Sequence, residues 1–195
     1  MARTVVTEQE VLTFPELTPE AQQKAIEKYI ESEQEDWSGE YVKDQWKEKL
    51  EALGFEDVEI SYSGFSSQGD GASFTSKQFD LCSMLANLKL VSKAPGLYRK
   101  FKEYDYFAAH HCTVRRICHQ YAHYNTVRVE IEEYGTEHPQ QELAREALTE
   151  AVRELCKEMY KALEASYESL DNEEHAREYL DNNDDEYKPN GSRYY

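Results

Sequence analysis

From Pro139 onward the apolar residues Leu143, Ala147, Leu148, Ala151, Leu155, Met159, Leu163, Tyr167 and Leu170 step every three or four positions. That is the period of an α-helix with one apolar stripe, and at ~1.5 Å per residue the stripe extends for ~45 Å. A helix with so long an apolar side needs a sheet or other helices to cover it. The rest of the chain must supply that cover.

The upstream pattern offers both kinds of partner. Residues 3–14 are rich in β-branched side chains and predict a strand. Thr18-Pro19-Glu20 predicts a helix start, because Thr18 can accept from first-turn amides and Pro19 lacks the N–H that would be orphaned there. A second helix is expected over residues 37–53, with Val42, Trp46, Leu50 and Leu53 on one side and Gly54 at its end. Residues 55–62 alternate as a strand. Thr75-Ser76-Lys77-Gln78 has the form of a capping box, which predicts a helix reaching Val91, and residues 97–107 carry apolar residues at helical spacing. Residues 113–123 and 126–134 read as a β-hairpin turned at Tyr124-Asn125. Hairpins mixed with helices, without βαβ crossovers, give an α+β fold: an antiparallel sheet of four or five strands covered by helices, with a long C-terminal helix. Residues 1–180 are expected to form a single domain, and residues 181–195 an acidic, mobile tail.

Charge is distributed unevenly. The net charge is −17, made up of −10 over residues 1–60, +5 over residues 61–129 and −12 over residues 130–195. No run approaches the ~20 apolar residues that span a bilayer. Cys82, Cys112, Cys118 and Cys156 form no Cys-x-x-Cys pair, so reduced thiols in a cytoplasm are the simplest reading. The basic centre interleaves Lys89, Lys93, Arg99, Lys100, Lys102, Arg115, Arg116 and Arg128 with aromatic rings, the pattern that single-stranded nucleic acid needs. The strongly negative background argues against direct nucleic-acid binding.

The most distinctive local element is Ser63-Gly64-Phe65-Ser66-Ser67-Gln68-Gly69-Asp70-Gly71-Ala72-Ser73-Phe74. It is poor in charge and holds three of the eight glycines. Gly64, Gly69 and Gly71 with Asp70 predict a tight structural turn, in which the Asp70 carboxylate accepts neighbouring amides. The run is neither a Walker loop nor a dinucleotide fingerprint. Together with residues 12–21, Gly54-Phe55 and residues 119–127, this block resembles a functionally uncharacterised family of small tailed-bacteriophage proteins. The resemblance implies a viral product in a bacterial cytoplasm. It also implies, at the level of that class only, binding to host machinery such as restriction or CRISPR complexes.

Two kinds of site are legible. Glu142, Glu146, Glu150, Glu154 and Glu158 recur every fourth residue, opposite the apolar stripe. Such a row is either a solvated face or a surface that docks a basic host partner, in one form by imitating nucleic acid. The leading functional reading is therefore a non-enzymatic inhibitor or redirector of a host protein or protein–nucleic-acid complex. The alternative is a small metal-dependent or hydrolytic enzyme. His119, Tyr121 and His123 would share one face of a strand, and Asp70 could complete a catalytic or metal-binding group with His119 and His123. No cofactor motif accompanies them. A phage assembly component, seen as a defined homo-oligomer, is a further reading.

Overall fold

The helix start at Thr18-Pro19 forms as its chemistry dictates. In the computed structural model, which describes residues 9–103, 111–118, 121–132 and 139–194, helix α1 spans Pro19–Asp36. The Thr18 hydroxyl accepts from the Ala21 amide at 3.3 Å. The chain divides into two compact units: a terminal unit of residues 1–38 and 166–195, and a central unit of residues 39–165.

In the terminal unit, α1 buries Ala21, Ala25, Ile26 and Ile30 in a cluster with Phe14, Leu17, Ala176, Leu180 and Tyr187. Helix α6 (Glu173–Asn182) supplies Ala176 and Leu180. Leu12 and Tyr187 exchange backbone hydrogen bonds of 2.9 and 2.7 Å, and the Tyr187 ring meets Phe14 edge-on with centroids 6.2 Å apart. Residues 181–195, expected as a mobile tail, contribute Tyr187 to this cluster. Tyr187 is 3% exposed, and its strand partner lies at the other end of the chain. The expected strand over residues 3–14 lies partly outside the described residues; Leu12 makes only an isolated bridge, and Phe14–Glu16 is a 3-10 turn.

The central unit holds α2 (Glu40–Ala52), β1 (Glu59–Ser63), β2 (Gly71–Asp80), α3 (Leu81–Asn87), α4 (Pro95–Glu103), β3 (His111–Arg116), β4 (Val127–Ile131) and most of α5 (Gln141–Glu168). After α5, α6 (Glu173–Asn182) begins at Asn172, whose side chain caps the His175 amide at 3.1 Å. The sheet has four antiparallel strands in the order β1-β2-β3-β4, so the α+β expectation holds, with the long helix near the C-terminus. One sheet face carries Phe74, Phe79, Cys112, Val114, Val127 and Val129, all buried. Phe55 stands edge-on to Phe74 and Phe79, at 5.1 and 5.2 Å. Helix α5 turns Ala144, Leu148, Val152, Cys156, Met159 and Leu163 inward.

Two local expectations fail, each for its own reason. Thr75-Ser76-Lys77-Gln78 opens no helix; it lies inside β2, laddered to β1 and β3. The Ser76 hydroxyl donates to the Glu56 carbonyl at 2.7 Å, and Asp80 caps the following helix by accepting from the Ser83 amide at 2.7 Å. The hairpin of β3 and β4 is present, but its strands are shorter than the pattern suggests. Residues 121–126 form a loop ending in a 3-10 turn, where the Thr126 hydroxyl donates to the His123 carbonyl at 2.6 Å. That side-chain bond takes over the strand ladder's role. Among the described residues no helix is long and apolar enough to cross a membrane.

Candidate functional site

The glycine-rich loop turns as Asp70 requires. One carboxylate oxygen, Oδ2, accepts from the Ser66 amide at 2.8 Å and the Ser67 amide at 2.6 Å. The Asp70 amide returns a bond to the Ser67 carbonyl at 3.0 Å. A carboxylate receiving two backbone donors fixes the loop without help from a ligand. Phe65 anchors it from below, stacked on Tyr62 at 5.9 Å and tilted against Tyr160 at 5.6 Å. The Tyr160 hydroxyl donates to the Gly64 carbonyl at 3.3 Å, and burial pushes its pKa up, aided by the nearby Glu164 and Asp70 charges. Residues 66–69 are left exposed at the top.

Two further segments reach this loop. A Cβ on Gly69 would touch the Tyr121 ring at 3.8 Å, and one on Gly71 would meet His123 Cδ2 at 2.8 Å. At position 71 only glycine admits the β3–β4 connection so closely. On the other side, the Lys157 ammonium lies 4.6 Å from the Tyr124 ring centre and pairs with Glu154 at 2.6 Å. The hydrogen bond that Lys157 donates to Glu154 is the main cause that raises the Lys157 pKa. Loop, connection and α5 therefore meet on one surface of the central unit, with Tyr121 half-exposed among them.

The carboxylate row is open to solvent along its length, since Glu142, Glu146, Glu150, Glu154 and Glu158 are all exposed. Glu142 pairs with Arg145, and Glu158 with Lys49 at 3.4 Å. Glu146 and Glu150 make no ion pair among the described residues.

The Asp70, His119 and His123 group looks different. His123 Nδ1 accepts the Asn125 amide at 3.1 Å, and its ring lies 4.0 Å from that of Tyr124. His123 sits in a loop rather than on a strand face, and Asp70 spends its Oδ2 on its own turn. His119 lies outside the described residues. Among those described, no three His, Cys, Asp or Glu side chains gather as a metal site would require. Burial raises the Cys82 thiol to about 11 and the Cys156 thiol to about 12, and pushes Cys112 up as well, so these three are poor nucleophiles at neutral pH.

The sequence pattern missed Tyr160 and Lys157 as parts of this surface. Their partners, Gly64 and Tyr124, are remote in the chain, and no local spacing announces them.

A family model described as "Domain of unknown function (DUF8835)" matches residues 37–173. The chain belongs to this family. The DUF8835 match takes in the whole central unit, including the glycine-rich loop, the sheet and the carboxylate row of α5. No curated protein and no solved structure matches the chain.

Proposed function

We propose that this DUF8835 protein is a non-enzymatic binding protein, encoded by a tailed phage, that inhibits or redirects a host protein in the bacterial cytoplasm. Its contact surface is the exposed side of α5 together with the tyrosine-flanked glycine-rich loop. The observation that carries this reading is the row of five exposed carboxylates on one continuous helix, two of them without an ion-pair partner among the described residues. A rigid helix presenting carboxylates at ~6 Å intervals offers a complementary potential to a basic surface, whether that surface normally meets protein or nucleic acid. Tyr121 and the pinned loop add what charge alone lacks: an amphipathic ring and a preorganised backbone, both of which bind at low entropic cost.

The test replaces Glu146, Glu150 and Glu154 together with lysine. These side chains point away from the buried stripe, so circular dichroism should show a folded protein. In a tagged pull-down from bacterial lysate, the native chain is expected to retain one dominant host protein at near-equal stoichiometry, and the variant is expected to lose it. Undiminished capture by the folded variant would overturn the assignment of this surface.

A further inference from the structure

The sheet face opposite Val114 and Val129 carries a group of polar side chains that also borders Arg145, Glu146 and Glu150 of α5. Arg115 on β3 and Arg128 on β4 are direct cross-strand partners. Like charges so placed repel. A single carboxylate stands between them: Glu130 Oε2 takes Arg115 Nε at 3.0 Å, and Oε1 takes Arg128 Nε at 3.0 Å. Each guanidinium has five N–H donors, so most of the Arg115 donors remain unspent on Glu130. The cross-strand partner of Glu130 is Thr113. Its side chain is buried, with the residue 8% exposed, and its hydroxyl has no hydrogen-bond partner among the described residues. An orphaned buried hydroxyl is costly unless something satisfies it. Thr113, Arg115, Arg128 and Glu130 all line an open cleft of about 840 Å³, which carries four cations to three carboxylates within a chain of net charge −17.

We infer that this cleft is a binding site for a phosphoryl dianion, with Glu130 holding the anion's place in the free protein. An incoming phosphoryl group accepts from both guanidiniums in the forked geometry that arginine favours. Displacing the Glu130 carboxylate uncovers its neighbour Thr113, whose hydroxyl then donates to the anion. The overall negative charge selects a small dianion over a polyanion. Free phosphate and a phosphate monoester present the same group.

The experiment is calorimetric titration of the full chain with inorganic phosphate and, separately, with O-phosphoserine, against chloride at matched ionic strength. Binding of either is expected in the native protein. Equal affinities assign a free ion, and tighter binding of the ester assigns an esterified ligand. Glu130→Gln should tighten binding about tenfold, and Arg115→Ala should weaken it at least as much. Thr113→Val separates a ligand role from a structural one. It removes an unsatisfied buried hydroxyl, so the free protein should melt no lower than the native chain, while phosphate binding weakens about tenfold. If neither anion binds the native chain or folded Glu130→Gln above the chloride control, the proposal is wrong. Thr113→Val binding phosphate as the native protein does would remove the hydroxyl from the site.

Discussion

At Gly71, the sequence permits something that no other residue would. A Cβ there would stand 2.8 Å from His123 Cδ2 and 3.1 Å from both the Ala122 carbonyl oxygen and His123 Cα. Two of these three neighbours are backbone, so rotating a side chain cannot relieve the clash. Gly71→Ala is therefore expected to cost about 1–3 kcal/mol of stability, read as a lower denaturant midpoint. Because Gly71 also begins β2, the same change should displace residues 121–123 and broaden the Tyr121 and His123 resonances. A variant as stable as the native chain would show that the connection does not close on the loop. Asp70 was legible from the sequence at this scale because its partners are Ser66 and Ser67, within one turn. The approach of His123 was not, since nothing near Gly71 in the sequence specifies it.

Among the elements, β4 poses a problem that its sequence cannot reveal. Among the described residues it is the last strand in the order, so its outward backbone groups would be a template for strand addition. Helix α5 occupies that edge. The Thr149 hydroxyl accepts from the Val129 amide at 3.1 Å, and Arg153 donates through Nε to the Val127 carbonyl at 3.3 Å. That α5 is a helix was readable from its apolar period, but its buried line was legible only in part. Leu148, Met159 and Leu163 are buried as expected, whereas Leu143 is 51% exposed and Ala144, Val152 and Cys156 face the core. That Thr149 and Arg153 close a sheet edge depends on the register of two remote segments. The misreading of Thr75-Ser76-Lys77-Gln78 has the same origin: a local cap pattern was overruled by ladders on both sides of β2. Thr149→Val keeps the shape of the helix but leaves the Val129 N–H unpaired. It should destabilise the protein by about 1–3 kcal/mol and speed hydrogen exchange at Val129 specifically. Native-like protection there would mean that Thr149 is not the partner of that amide.

On the scale of the whole chain, the two ends build one unit between them. Residues 1–38 and 166–195 group together, and Tyr187 is buried against Phe14 while pairing with Leu12. Composition hid this, because residues 181–195 are acidic and polar enough to pass for a solvated tail. Tyr187 and a turn at Gly191 help to hold them, with Tyr187 bridged to Arg193. That turn depends on Gly191, with φ +83°, where a Cβ would fall 2.2 Å from the Ala21 carbonyl oxygen on α1. Neither the left-handed backbone nor the contact tolerates a side chain. Gly191→Ala should therefore lift the C-terminal segment from α1, at a cost of about 3 kcal/mol. The readout is hydrogen exchange, with faster exchange expected at the Leu12 and Tyr187 amides that hold the terminal bridge. Deleting residues 183–195 provides a second route to the same end, since it removes Tyr187 outright and should release the Leu12 amide as fully. If both variants kept the Leu12 amide protected, its partner would have to lie elsewhere, and the closure of the terminal unit by the end of the chain would be refuted.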